Sequence, residues 1–541
     1  MYDTLYQLWG GCFDEEPSGV LRRLNDSLAV DSRLYKEDIK GSKAWANELH
    51  LSGHLSKGDN DSIQKGLEQV EKDIEQELLQ NQRLNDPEED IHSVVERRLQ
   101  QIAGDAALRL HTARSRNDQS ATDTKLWMTT ALQRIELQVL KLIKVLVHRA
   151  DKEIDVIAPS YTHFQRAQPV RWSHFLLSYA WMLREDVLRL EQQRDRLSTC
   201  PLGSGAVAGC ALQINRERLA EQLGFKRVTP NSMFAVSSRD HIVEFLNWAS
   251  LCGIHLSRLA EDLIVYSTQE FAIVRHSDQF STGSSLMPQK RNPDGLELIR
   301  GAAGLLMGDA FSFSCVLKGL PSTYNKDLQS DKEILFRSYD RLTDCLKVAT
   351  GTVSTMQVDS KRALQCLEPG MLATDLAHYL VRRGMPFRRA HHAVGAALRR
   401  ASALGVDLQS LPHQEYVNIC PEFGSAEELQ ALFSWEASVE QYSSTGGTAR
   451  LAVRDQILQL KQWLQQYQVH NEQICKRLRV AAKKILSYAP YLAMIDEYRG
   501  EQNNILDDDP TFDTRYRTWK RNADLINSLL ALPKGMSDAG R

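Results

Sequence analysis

Residues 126–150, LWMTTALQRIELQVLKLIKVLVHRA, contain neither glycine nor proline. Their apolar positions, Leu126, Trp127, Met128, Leu132, Ile135, Val139, Leu140, Leu142, Ile143, Leu146 and Val147, spread over much more than one helical stripe. A helix that is apolar nearly all round is one buried on several sides. Glycine and proline are the strongest breakers of regular structure. Both are absent between Gly104 and Pro159, Pro169 and Pro201, Gly253 and Gly283, and Pro321 and Gly351. These intervals predict long helices and, together, a tall bundle. No alternating β-branched run bounded by turn signals stands out, so the class is read as all-α, without a sheet. Wide apolar faces on so extended a bundle are more easily covered when several copies pack together, which predicts a homo-oligomer.

The totals agree with a globular chain. At 541 residues, with 42% hydrophobic and 25% charged residues, it has material for two to four domains and a sizeable core. A net charge of -3 gives no global pull toward nucleic acid or an anionic membrane, so any anionic ligand must be gripped by local cations. No window has the ~18 consecutive apolar residues of a membrane span, and MYDTLYQLWGG lacks the basic and apolar regions of a signal peptide. The nine cysteines are scattered and never spaced as CxxC, which reads as reduced thiols in a cytoplasmic protein.

Polar segments punctuate the helices. The loop STGSSLMPQKRNPD (281–294) crowds two serines against Lys290 and Arg291 and then opens a helix, with Asn292 expected as N-cap, Pro293 as first helical residue, and Asp294 and Glu297 in the opening turns. A serine hydroxyl is a poor base unless cations and N–H donors stabilise its alkoxide, and this loop supplies both. HTARSRNDQ (111–119) sets two arginines before the longest helix. Guanidinium groups favour carboxylates, although arginines pairing neighbouring acids at a solvated helix start would read the same way. YTHFQRAQP (161–169) places His163 in a polar segment, and LPSTYNKDLQSDKE (320–333) carries Tyr324, Lys326, Gln329 and Lys332. PLGSGAVAG (201–209) has no preceding strand and is no dinucleotide fingerprint. No zinc, P-loop or EF-hand spacing occurs, and His391-His392 reads as a helix face. From about Val469 the character changes, with a basic segment CKRLRVAAKKIL (475–486) and an acidic run Asp507–Asp509. Ile474, Leu478, Ala481 and Ile485 form a helical apolar stripe there.

GSSLMPQKRNPD resembles the signature of the fumarase/aspartase superfamily. LWGG (8–11), DSLAVDSRLYKEDIKGSKAWA (26–46), HTARSRNDQ, YTHFQRAQPVRWSH, PLGSGAVAG, KGLPSTYNKDLQ and VEQYSSTGGTAR stand in the order of its argininosuccinate lyase family, from about Leu8 to about Gln468. The resemblance implies three helical domains, at 1–112, 113–364 and 365–468, with an extra tail at 469–541 outside the family pattern. It further implies a central five-helix segment that builds a twenty-helix core in a homotetramer, with active sites shared between subunits. The implied reaction is reversible cleavage of argininosuccinate to arginine and fumarate, without cofactor or metal. Carried over by motif, Ser284 is the base, Lys290 and loop N–H groups stabilise its alkoxide, and His163, oriented by Glu297, protonates the departing nitrogen; the two roles of Ser284 and His163 are open to exchange. Ser27, Arg116, Asn117, Thr162, Arg239, Asn292, Tyr324, Gln329 and Lys332 are the implied substrate-binding positions.

Three departures stand out: Cys12 where the family has arginine, Cys210-Ala211 where it has Asn-Pro, and Ala113 where glycine is common. Adenylosuccinate lyase shares a similar loop, and δ-crystallin, a lens protein, shares the scaffold. LWGG, HTARSRNDQ and the glutamine of MPQK favour argininosuccinate, and the retained Ser284, His163, Lys290 and Glu297 favour activity over a purely structural role.

Overall fold

The computed structural model describes residues 17–484, with side chains to Tyr467. LWGG and Cys12 therefore lie outside the described residues, as do the acidic run and everything beyond Lys484. The chain divides into two compact units at 464/465. Of the second, the helical backbone to Lys484, the end of Arg450–Lys484, and the side chains of 465–467 are described; the side chains of the apolar stripe at 474–485 are not.

Five long helices, Arg116–Lys152, Trp172–Leu197, Asp240–Ser267, Asp294–Leu317 and Asp331–Thr355, pack on one another. The first starts where Ser115 closes a capping box with Asp118, each side chain satisfying a backbone N–H that the first turn leaves open. Every apolar residue picked out above between Leu126 and Val147 is buried within this one chain. An uncovered apolar face lies elsewhere, on Asp294–Leu317, where Leu298, Leu305 and Phe311 are 72%, 56% and 74% exposed. Gly301, Gly304 and Gly308 share this helix, and a Cβ added at any of them would meet nothing within 4 Å. On the N-terminal side Tyr35–Leu51, Lys57–Asn81 and Ile91–Ala103 pack together. Towards the C-terminus Ala373–Arg382 and Phe387–Leu404 close a separate apolar cluster around Leu376, Leu380, Tyr416 and Phe423.

The expectation of no sheet is corrected. Among the described residues, four two-stranded sheets interrupt the helices, the largest an antiparallel hairpin of Ile157–Thr162 with Gln165–Arg171. Its strands escaped the reading because Pro159 and Pro169 stand opposite each other and polar residues break the alternation; in a two-stranded ribbon every strand is an edge, where proline is tolerated. The class stays all-α, since no sheet among the described residues exceeds two strands. A second correction concerns the loop's exit. Asp294 is the first helical residue, and Pro293 (φ −83°, ψ 48°) takes the cap position expected of Asn292. A residue before proline is pushed out of the helical region, and Asn292 accordingly extends and pairs with Thr282.

Candidate active site

Four chain segments far apart in sequence meet beside the first turn of Ile91–Ala103. Tyr324 donates to Gln329 Oε1 at 3.3 Å, Gln329 Nε2 donates to Ser27 Oγ at 2.7 Å, and Ser27 Oγ donates to Asp31 Oδ2 at 2.5 Å. The other oxygen of Asp31 accepts the Ile91 amide at 3.0 Å. Burial pushes the Asp31 carboxyl up, against the pull of His92. Burial likewise raises the Tyr324 phenol to about 12, helped by Asp331, so it remains a donor.

Arg116 occupies the same region. Its guanidinium donates to Gln119 Oε1 at 3.0 Å and Ser93 Oγ at 3.2 Å, and faces Asp90 Oδ2 at 3.5 Å. Burial opposes ionisation of Asp90, yet the Arg116 charge and then His92 hold its carboxyl down at about 2. Asp90 also caps its helix by accepting from Ser93 N at 2.7 Å.

Arg239 and Lys332 share one carboxylate. Arg239 Nε donates to Asp331 Oδ2 at 2.7 Å and Lys332 Nζ to Asp331 Oδ1 at 2.9 Å. All three are buried, Asp331 completely. Burial works against the Asp331 anion, but Lys332 and Arg239 together keep its carboxyl below the usual range. Two cations against one anion leave an excess of positive charge.

The glycine loop meets the arginine motif, a contact the sequence did not announce. Asp118 Oδ2 accepts the amides of Gly203 at 2.9 Å and Gly205 at 2.8 Å, while Asn117 Nδ2 reaches Ala206 O at 3.4 Å. Burial lifts the Asp118 carboxyl to about 6 against these donors. Cys210, where the motif departs from the family, is a half-buried free thiol.

The remaining predicted residues stand apart from this cluster. Ser284 sits at the start of the loop tip between the paired residues Thr282–Gly283 and Arg291–Asn292. Its Oγ accepts backbone N–H groups from Leu286 at 3.2 Å and Met287 at 3.0 Å, the donors a developing alkoxide requires. Lys290 is exposed, and none of the bonds among the described residues joins it to Ser284. His163 and Phe164 form the two-residue hairpin turn, both with positive φ (55° and 56°), as a tight primed turn demands. Thr162 pairs with Gln165 beside it, and Thr162 and His163 are exposed. Glu297 faces Arg300 at 3.7 Å, and no hydrogen bond links it to His163 among the described residues. A single protomer therefore brings together Ser27, Arg116, Asn117, Arg239, Tyr324, Gln329 and Lys332, and leaves Ser284, Lys290, Asn292, Glu297, Thr162 and His163 facing outward or unconnected to them.

Sequence reasoning missed Asp31, Asp90, Ser93, Gln119 and Asp331. Asp31, Gln119 and Asp331 lay inside quoted motifs, and Asp90-Ile91-His92-Ser93 carried an N-cap signal. One cluster has the composition of a cation site: Asp38, His92 and Asp123 place ligand atoms within 4.8 Å of one another, all buried. The Arg114 guanidinium, itself buried and electrostatically coupled to both carboxylates, already supplies positive charge there.

A family model described as lyase matches residues 11–308, and one described as argininosuccinate lyase C-terminal matches residues 370–440. A match of residues 522–539 to pigment-dispersing hormone falls outside the described residues. Argininosuccinate lyase from Schizosaccharomyces pombe is 46% identical over 452 residues, covering 83% of this chain and 97% of that protein. The enzyme of that name from Roseiflexus castenholzii is 47% identical over 84% of this chain and 99% of its own. Among solved structures, EDDS lyase in complex with formate superposes with a TM-score of 0.75 at 25% identity, over 90% of this chain and 95% of that one. A class II fumarase from Schistosoma mansoni, at 18% identity and a TM-score of 0.64 over 77% and 92% of the two chains, shares the fold. At this level of identity over almost the whole length of its relatives, the chain belongs to the argininosuccinate lyase family.

Proposed function

We propose that this chain catalyses the reversible β-elimination of argininosuccinate to L-arginine and fumarate, as a cytoplasmic homotetramer with active sites shared between subunits. The observation that carries the reading is the convergence of Arg116, the Arg239–Asp331–Lys332 triad and the Tyr324–Gln329–Ser27–Asp31 chain from four distant segments. A substrate with three carboxylates, an ammonium and a guanidinium calls for this mixture of cations, neutral amides and hydroxyls with carboxylates among them.

The proton to be removed lies on carbon next to a carboxylate, so the intermediate is an aci-carboxylate with charge concentrated on two oxygens. Preorganised donors around such charge lower the barrier; a single comparable donor elsewhere is worth roughly 10²–10³ in rate. Ser284 is the proposed base. Its two amide contacts are in place, and Lys290 completes the stabilisation when the loop closes over substrate. His163, steadied by Glu297, protonates the departing guanidino nitrogen. That the protomer leaves His163 and Ser284 unconnected to the carboxylate-binding cluster supports a reading in which neighbouring copies supply the missing groups; the proposed elimination uses no cofactor.

The uncovered face of Asp294–Leu317 supports that assembly. Leu298, Leu305 and Phe311 offer apolar area, and the three open glycines let another helix approach closely. The test is fumarate release by the purified full chain, followed by ultraviolet absorbance with argininosuccinate and with adenylosuccinate in parallel. Fumarate and arginine in equal amounts from the first substrate alone are expected. Release from adenylosuccinate only, or from neither, would overturn the proposal, the latter in favour of a δ-crystallin-like structural role.

A further inference from the structure

We infer that Asp38 and Gln119 are positioning residues for the Arg116 clamp, fixing the guanidinium that receives a substrate carboxylate; the inference rests on the lyase reading above.

The geometry is a directed chain. Asp38 Oδ1 accepts from His92 Nδ1 at 2.9 Å and from Gln119 Nε2 at 2.5 Å. Gln119 Oε1 in turn accepts from Arg116 Nη1 at 3.0 Å. An ionised carboxylate only accepts and a guanidinium only donates, so the Gln119 amide has one orientation that satisfies both neighbours. Asp38 and Gln119 are 1% and 3% exposed, which removes water as an alternative partner and makes a lost bond expensive. Burial raises the cost of ionising Asp38, but His92 and, further out, Arg114 and Arg116 keep its carboxyl low, while the adjacent Asp123, buried with it, is driven well above the usual range and holds its proton.

The same hub reaches the second arm of the site. Ile91, His92 and Ser93 are consecutive in one helical turn. The Ile91 amide holds Asp31, the His92 ring holds Asp38, and the Ser93 hydroxyl holds Arg116. Asp38 therefore touches no substrate; it acts through Gln119 on the guanidinium and through His92 on the turn that spaces Arg116 from Ser27 and Asp31.

The experiment is a double-mutant cycle read as kcat/KM for argininosuccinate cleavage. Gln119→Met keeps the length and apolar volume while removing both bonds, and is expected to lower kcat/KM by about 10–100-fold, carried mainly by KM, since small misplacements of a clamp cost up to about 10². In an Arg116→Lys background, where the fork is already lost, the same change is expected to cost less than about 3-fold, because the two residues act as one unit. Asp38→Asn, which keeps an oxygen for both donors but removes the charge and puts an NH2 in place of the bond-free Oδ2, should show a smaller loss with the same dependence on Arg116. Full multiplication of the Gln119→Met and Asp38→Asn losses onto Arg116→Lys, or no loss from either, would overturn the inference while wild type remains active. An inactive wild type would overturn the lyase reading and this one together.

Discussion

Asp331 is where stability and substrate binding are most tightly joined. Replacing it with asparagine leaves Arg239 and Lys332 buried with one neutral amide between them in place of bonds at 2.7 and 2.9 Å. Removing one partner of a buried ionic group costs about 3–5 kcal/mol, because the remaining charge is stranded. With about 2.1 cal/mol/K of unfolding entropy per residue over 541 residues, that is about 3–4 °C in melting temperature. The pH dependence follows from the direction of the shift. A carboxyl whose folded pKa is depressed contributes stability that is present above its unfolded value and is lost as pH falls through the folded one. The deficit of Asp331→Asn should therefore be constant from pH 5 to 8 and shrink only below about 4, the ordinary range of an unfolded aspartate. Melting curves across that range, with kcat/KM at neutral pH, provide the assay; the freed cations should also lower kcat/KM by on the order of 10². A variant that melts and turns over like wild type would show that the triad neither supports the fold nor orders the site.

Three other substitutions probe separate parts of the account. Ser284→Ala should lower kcat by about 10²–10⁴, the usual contribution of a positioned acid or base, with melting unchanged because the hydroxyl meets only two amides of its own loop; near-normal turnover would remove Ser284 as the base. Gly205→Ala forces a side chain onto φ 60° with its Cβ 2.8 Å from Gly209 O, which should cost about 1–3 kcal/mol in denaturant titration; wild-type stability would contradict the tight turn that presents the Gly205 amide to Asp118. Phe311→Arg places a charge on the uncovered helix face, and light scattering should show a smaller species than wild type with little activity; an unchanged assembly would mean that this face is not the subunit contact.

Much of the scaffold was legible because helices are punctuated by glycine and proline. The breaker-free intervals 104–159 and 169–201 contain Arg116–Lys152 and Trp172–Leu197 whole. Asp240–Ser267 and Asp331–Thr355 run through Gly253 and Gly351, and Asp294–Leu317 carries four glycines, because a buried helix tolerates glycine where packing holds it. The apolar residues of 126–150 are buried as their pattern required. Burial within one chain and burial between chains leave the same composition; only packing shows that the apolar residues of 126–150 are covered within the chain while Leu298, Leu305 and Phe311 stay exposed. Small ribbons are invisible to alternation when prolines occupy both strands, as at Pro159 and Pro169. In the site, motif matching brought out residues that project charge or hydroxyls from quoted segments. It passed over Asp38, Asp331 and Gln119, whose role lies in holding another side chain, because a positioning role is a property of distance and orientation that no spacing along the chain encodes.

The proposed sharing of sites between subunits is tested most directly by subunit complementation. A His163→Asn variant and an Arg116→Met variant, each inactive alone, are unfolded together, refolded as a mixture and assayed for fumarate release from argininosuccinate. The account predicts recovered activity, because some sites in the mixed tetramers take an intact histidine hairpin from one copy and an intact arginine clamp from another. A mixed assembly that forms, contains both variants and stays as inactive as either parent would contradict it.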